Sequence, residues 1–286
     1  MRFPQHTKPP SLSQSQQRDT QASADETVDR TRTFWNAFPC DGHELSDELR
    51  RYRYTKEAWL PRFIQDICGR EDNIVEIGCG QGTDSLTFCS ILPETGSYIG
   101  IDYSDISIAN AARFASEQSG HLRVTPVYKV ADARHLPFRD GSIAAVYSMG
   151  VLHHINETEA AIAEIFRVLA PGGRLYLGLY HRLSAKLLVA HALRVLQQLA
   201  DVLFRTDRSM FRLLRRCRPA ASGGTMLHEC FGVPVLKSYT ADGMRRLLHR
   251  YDVESLYSCG SASVGSRRFG YLLVATACKP MPQNDC

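Results

Sequence analysis

The sequence predicts an α/β fold: a doubly wound, mostly parallel sheet of seven strands with an antiparallel edge strand, preceded by a helical cover and interrupted by a helical insert. Three observations predict it. Between Asn73 and Tyr180, short apolar runs alternate with stretches of helical periodicity, the pattern of buried strands joined by crossover helices. The run ending at Ile77 passes directly into Gly78, Gly80 and Gly82, after which a helix opens. Two strand-like runs close the chain, joined by a glycine- and serine-rich turn at Gly260–Gly265, which suits an antiparallel pair at a sheet edge.

Taken in order, residues 1–28 are rich in Gln, Ser, Thr and Pro with few large apolar side chains. Such a segment buries too little surface to offset its ordering entropy and reads as a disordered tail. Residues 29–70 form the helical cover. Phe34, Trp35 and Phe38 cluster in five residues, and Glu44 to Ile67 carries apolar residues at roughly helical spacing. These helices either cover a sheet edge or form a lid over a site. In the core, residues 71–182, strands are expected at Asn73–Ile77, Ser97–Ile101, Val124–Val130, Ile143–Met149 and Arg174–Tyr180. Helices are expected at Asp84–Leu92, Ile106–Gln118 and Glu157–Leu169, with Pro171-Gly172-Gly173 as the turn before the fifth strand. The insert spans 183–232, and its first part, Leu183 to Phe204, reads as one nearly all-apolar helix followed by Arg205, Arg208, Arg212, Arg215, Arg216 and Arg218. Residues 233–279 return to the core sheet, with a helix at Tyr239–Tyr251 and strands at Val253–Ser258 and Tyr271–Cys278.

Composition narrows the class. With 286 residues, 44% hydrophobic and 22% charged, the chain has the make-up of an ordinary globular protein with ample core. A net charge of +4 spread over that length demands no nucleic-acid partner. No apolar run approaches the ~18 residues of a membrane-spanning helix. Nine scattered cysteines, an odd number without a CxxC pair, argue against a disulfide framework or structural zinc and for a reducing, cytoplasmic setting. No metal site is expected.

The chemistry concentrates at the glycine loop, Val75 to Asp84. Glycine lets the backbone turn sharply and a ligand approach it, and the helix that follows offers unpaired N–H groups and the positive end of its dipole. In an open α/β sheet the ligand lies beyond the carboxyl ends of the strands. A dinucleotide fingerprint needs glycine where Thr83 stands. Asp102, twenty residues past Gly82 at the end of the second strand, can accept both hydrogen bonds of a ribose diol, which fits NAD and other nucleoside ligands equally.

The alternating Gly78-x-Gly80-x-Gly82 loop, the Asp132-Ala133 pair ahead of Leu136-Pro137-Phe138, and Arg167-Val168-Leu169-Ala170-Pro171-Gly172-Gly173 resemble the class I S-adenosylmethionine-dependent methyltransferases, small-molecule type 11 branch. The likeness covers roughly Asn73 to Tyr180, continues weakly through Tyr239–Cys278, and fades in the N-terminal helices and the insert. It implies a Rossmann-like core and S-adenosyl-L-methionine as cofactor, held by Glu76, Gly78, Gly80, Gly82, Asp84, Asp102, Tyr103, Asp132, Ala133, Ser148 and Met149. In that family the aspartate matching Asp132 accepts from the adenine amino group and the next backbone N–H meets the ring.

Ser148-Met149-Gly150-Val151 after the fourth strand lacks the Asn/Asp-Pro-Pro-aromatic motif of exocyclic-amine DNA methylation, a cysteine nucleophile, and metal-chelating carboxylates. The reaction that the resemblance implies is methyl transfer to oxygen, nitrogen or carbon of a small organic acceptor, and the apolar helix of the insert suggests a lipophilic one. His154, and next to it His153, are the acid/base candidates, since histidine titrates near neutrality. Tyr180 and His181 are candidates for the acceptor pocket, and Tyr52 and Tyr54 for covering the cofactor. The rival readings are a nicotinamide oxidoreductase and an inactive, methyltransferase-like scaffold subunit. The apolar helix of the insert has three readings: a cap on the pocket, a contact with a second subunit, or a membrane-surface contact through 183–218.

Overall fold

The computed structural model describes residues 30–39, 46–204, 233–260 and 270–282. The tail at 1–28, the arginines between 205 and 218 and the turn after Gly260 lie outside these residues. A first helix, α1 (residues 30–37), is followed by α2 (Ser46–Lys56) and α3 (Leu60–Cys68). The core then runs β1 (Asn73–Ile77), α4 (Thr83–Ile91), β2 (Ser97–Asp102), α5 (Asp105–Glu117), β3 (Val127–Val130), β4 (Ile143–Met149), α6 (Thr158–Val168) and β5 (Leu169–Tyr180). After α7 (Ala185–Phe204) come α8 (Ala241–Leu247), β6 (Asp252–Cys259) and β7 (Leu272–Cys278).

The seven strands form one sheet in the order β3-β2-β1-β4-β5-β7-β6. The pairs from β3 through β5 are parallel, and β7 runs antiparallel to both β5 and β6. The terminal antiparallel pair is thus present at the edge, with the reversed strand inserted one place inside it. Strand order reverses between β1 and β4, and the carboxyl ends of these strands open the crevice in which such sheets bind ligands.

Each strand sorts its side chains by parity, as the pleat requires. Val75, Ile77, Val146, Leu175, Leu177 and Leu179 pack against α6 and α8, with Ile162, Ile165, Met244 and Leu248. Ile74, Ala145, Tyr147, Met149 and Tyr176 face α3 and α4, with Ile64, Ile67 and Phe88. Glu76, between Val75 and Ile77, is therefore delivered to the α3/α4 face, where it is 4% exposed. Two details depart from the sequence expectation. The fifth strand begins at Leu169 rather than Arg174: Ile143 pairs with Leu169 and Ala145 with Arg174, so Pro171-Gly172-Gly173 sits in an irregularity within the strand, with Gly172 at φ +77°. The third strand is shorter than expected, because Val124 turns inward toward Cys89 ahead of the pairing.

Candidate active site

The glycine loop takes the shape its residues allow. Gly78, Gly80 and Gly82 hold φ of +78°, +51° and +80°, a region that costs other residues roughly 1–2 kcal/mol each. The N–H groups of Gly78 and Cys79 donate to the Ile101 carbonyl at 2.7 and 3.0 Å, tying the loop to the end of β2. A Cβ on Gly78 would fall 2.3 Å from Val151, so glycine is required there twice over. Gly82 caps α4 from the left-handed region and is not on the cleft wall.

Above the loop lies a cleft that gathers Glu76, Gly78, Gly80, Asp84, Asp102, Tyr103, Asp132, Ala133, Met149 and His154. Asp102 accepts the Gly80 N–H at 2.9 Å and the Ser104 N–H at 2.8 Å, so the ribose candidate also fixes the loop it serves. Burial raises its pKa, and the N–H donors from Ser104, Gly80 and Tyr103 oppose that rise. Each of its oxygens has a second lone pair to offer a hydroxyl. Asp132 is held in a fork by Arg134, Nη2 at 2.7 Å and Nε at 3.1 Å. Arg134 reaches on to Glu157 at 2.8 Å. These three cleft residues form a chain of charges beside Ala133, and an adenine amino group reaching Asp132 has to displace or share the Arg134 contacts. Ser148 points away: its hydroxyl donates to the Ile77 carbonyl at 2.9 Å and it is fully buried. Cys79 lines the cleft, but burial and then Asp102 push its pKa well up, so it stays a thiol and packs.

A further part of the cleft wall comes from α2 and the residue after it, where the sequence had pointed to different residues. Tyr52 and Tyr54 do not line the cleft; Arg53, Lys56 and Glu57 do. Tyr54 instead bonds Thr87 at 2.6 Å. Arg53 donates to Asp84 at 3.0 Å and pairs with Glu57 at 2.9 Å. Tyr147 donates its hydroxyl to Asp84 at 2.8 Å, and Tyr98 donates to Glu76. Burial followed by Asp84 raises the Glu76 pKa well above the carboxylate range, against the Tyr98 hydrogen bond and Arg53. Burial alone would lower the pKa of Arg53, yet Asp84 and Glu57 hold it above its ordinary value. One guanidinium thus serves two buried carboxylates with a third nearby, a set able to meet both charges of an amino-acid zwitterion.

The two histidines share a 3₁₀ turn, Leu152–His154, in which successive side chains diverge by about 120°. His154 lines the cleft, and its Nδ1 lies 2.9 Å from the Val235 carbonyl. A carbonyl only accepts, so Nδ1 carries the proton and Nε2 is the basic nitrogen of the neutral ring. Trp35 of α1 meets the His154 ring at 5.3 Å, and Tyr180, Val235, Tyr271 and Leu272 complete an aromatic and apolar wall. Residues on α1 fasten that helix over the β2–α5 turn: Asn36 donates to Asp105 at 2.8 Å, Ser104 donates to Asn36 at 2.7 Å, and Arg32 lies 5.3 Å from the Tyr103 ring centroid. Trp35 of α1 and Arg53 and Lys56 of α2 thus line the cleft, while Leu60, Ile64 and Ile67 of α3 pack against the sheet.

His153 goes the other way. It is fully buried and stacked on Tyr180 at 3.7 Å, and neither ring nitrogen has a hydrogen-bond partner among the described residues. Burial, then His154 and Lys186, hold its pKa well below the ordinary imidazole value. The native state thus refuses a proton that the unfolded chain takes below about pH 6.5. That contribution to stability is complete above this pH and is lost as pH falls, by at most ~1.4 kcal/mol per unit. His153→Phe is expected to keep the stack on Tyr180 and to remove this slope. In denaturant titrations at pH 7 and pH 5, the variant should gain about 2 kcal/mol on the wild type between the two; parallel losses in both proteins would contradict it. His181 is also off the cleft, its Nδ1 3.0 Å from the Gly270 carbonyl.

Comparison with known proteins agrees with this arrangement. The type 11 family described as "Methyltransferase domain" matches residues 75–177, which run from β1 into β5. A 27-O-demethylrifamycin SV methyltransferase of Amycolatopsis mediterranei is 31% identical over 107 residues, 37% of this chain and 38% of that protein. A chloroplastic tocopherol O-methyltransferase of Arabidopsis thaliana is 35% identical over 102 residues, 36% of this chain and 28% of that one. The chain therefore spans well under half the length of these two curated relatives. Among solved structures, a methyltransferase of Haloferax volcanii in complex with its activator superposes with a TM-score of 0.56 at 16% identity, covering 87% of this chain and 97% of that one. A Thermotoga maritima S-adenosylmethionine-dependent methyltransferase gives 0.53 at 14%, covering 87% and 99%; both share the fold. The glycine loop, Asp102 and the Asp132-Ala133 pair all fall within the matched segment, and residues 75–177 of this chain match the type 11 methyltransferase domain family, whose members use S-adenosylmethionine on a class I fold.

Proposed function

We propose that the chain methylates a hydroxyl group of a small, largely apolar acceptor, with His154 as the base that takes the hydroxyl proton. The observation that carries this reading is one cleft that joins a polar wall to an aromatic one. The polar wall offers Asp102, Ala133, the glycine loop and the Arg53 cluster; the aromatic wall offers His154 in a fixed tautomer against Trp35, Tyr180 and Tyr271, and Tyr271 donates to Glu57 where the two walls meet. The residues fit S-adenosylmethionine: Asp102 for the ribose diol, Ala133 N–H and Asp132 for adenine, and Arg53 with its carboxylate neighbours for the amino-acid end. When bound, that molecule supplies an electrophilic methyl on a sulfonium, with a neutral thioether as leaving group. The protein's own work is alignment, exclusion of water by Trp35 and the aromatic wall, and removal of a proton at His154 Nε2. The O-methyltransferase relatives support oxygen as the acceptor atom.

Calorimetric titration with S-adenosylhomocysteine and with NADH tests the cofactor site. Micromolar-range binding of the first and none of the second is expected. Asp102→Ala removes a charged acceptor of two hydroxyls, at roughly 1.5–3 kcal/mol for each bond, and should weaken S-adenosylhomocysteine by about 100-fold or more. Because Asp102 also holds the Gly80 and Ser104 N–H groups, Asp102→Asn is the control: it keeps one acceptor oxygen and should lose less. Tight NADH binding would overturn the reading. Binding of neither would favour a scaffold.

A further inference from the structure

We infer that α7 is the interface of a homodimer, formed by packing against α7 of a second copy of this chain. One face of the helix serves its own domain: Leu187 and Ala190 are buried, His191 Nε2 lies 3.1 Å from Ser238 Oγ, and Arg194 donates to the Val233 carbonyl. The other face is apolar and open. Leu188, Val189, Val195, Leu196, Leu199, Val202 and Leu203 are between 45% and 81% exposed. With Ala185 and Ala192, also exposed, they follow a spacing of three, one and three that repeats every seven residues. Gln198 is the one polar side chain among the exposed residues of this helix whose burial is described.

Three arguments select a second copy as the occupant. The first is the period. A strict seven-residue apolar repeat keeps a seam facing a partner helix, whereas an isolated 3.6-residue helix would let it drift by about 20° per heptad. The second is area. Seven large side chains at these exposures present on the order of 700 Å² of apolar surface, above the few hundred Å² usual for a monomer and close to the ~800 Å² per partner of a standard interface. The third is charge. The face carries no ionic group that would repel its own image, as a two-fold contact requires. A helix lying on anionic lipid would border its apolar face with basic side chains, but Lys186 directs its ammonium inward, 4.9 and 4.7 Å from the ring centroids of Tyr180 and Tyr271.

An antiparallel arrangement is favoured. It opposes the two helix dipoles, and it separates the arginine runs that follow each Phe204 in sequence. The series Leu188, Val195, Val202 is symmetric about its middle member, so Val195 meets Val195 of the partner subunit and Leu188 meets Val202 of the partner subunit.

Sedimentation velocity of the full chain between 1 and about 50 μM is the test, with phosphatidylserine and phosphatidylcholine vesicles run in parallel. The wild type should be dimeric, and Val195→Glu and Leu199→Glu should each weaken dimerisation by at least ~100-fold, since each places two like charges in the seam. Both positions are exposed in the protomer, so thermal melts of the variant monomers should show a folded domain. Val195→Cys should cross-link to dimer under oxidation above the background of the native cysteines, and Leu188→Cys alone should not. A monomeric wild type overturns the inference, whether or not it binds phosphatidylserine vesicles. So does a dimer that both glutamate variants leave intact.

Discussion

Replacing His154 by glutamine is expected to lower kcat for a hydroxyl acceptor by about 10²- to 10⁴-fold, the range in which a positioned general base acts. S-adenosylhomocysteine affinity should stay within a few-fold. The assay follows label from the methyl donor into an acceptor found by screening apolar alcohols and phenols. The effect has an internal check in acceptor acidity. A base matters only when the nucleophile arrives protonated, so the loss should be largest for alcohols, smaller for phenols, and vanish for phenols already ionised at the assay pH. His153→Phe serves as the paired control, because its ring is stacked behind Tyr180 and off the cleft; it should leave kcat near the wild-type value. A His154→Gln enzyme with undiminished kcat on an unactivated alcohol would remove the base from the mechanism and leave alignment alone.

The sheet and the glycine loop were legible because their signals are local. Each buried strand is a short apolar run, and Gly78, Gly80 and Gly82 declare a backbone that only glycine adopts cheaply. Other parts of the site depend on which way a side chain turns, and sequence spacing does not resolve a single residue step. On α2, successive residues differ by about 100°, so the cleft receives Arg53 and Glu57 while Tyr52 and Tyr54 face elsewhere. The i, i+4 spacing of Arg53 and Glu57 was visible, but it reads equally as an ordinary solvated pair. Only the docking of α2 against α4, which brings Arg53 to Asp84, gives the pair its place. The same ambiguity separates His153 from His154, and Ser148 from Met149. Arg134 was hidden for another reason. Its partners Asp132 and Glu157 lie on either side of β4 in sequence, and nothing in the Asp132-Ala133 motif announces that the neighbouring arginine folds back on it.

Arg53→Met should be the most destabilising of the substitutions considered. The wild-type guanidinium is surrounded by Asp84 and Glu57, 4% and 2% exposed, with Glu76 also buried nearby. Methionine fills similar space without charge and leaves these carboxylates together in a poorly solvated pocket. Removing one partner of a buried ion pair typically costs about 3–5 kcal/mol, which for a domain of this size lowers Tm by roughly 10 °C. The sign of the pH dependence follows from the same electrostatics. Burial already raises the folded-state pKa of Glu76 and the Arg53 charge opposes that rise, so without Arg53 it climbs further. A carboxyl whose folded pKa is raised loses stability as pH climbs through that value, so the deficit of the variant should be smallest near pH 5 and largest at pH 8. Pairing the substitution with Asp84→Asn should recover much of the loss at pH 8, because the amide needs no counter-charge and still accepts from Tyr147. Arg53→Lys should fall between, keeping the charge but not the fork that spans two carboxylates. If Arg53→Met melts within a degree or two of the wild type at pH 8, water reaches this pocket freely. The cluster is then a solvated mouth of the cleft and not a buried network.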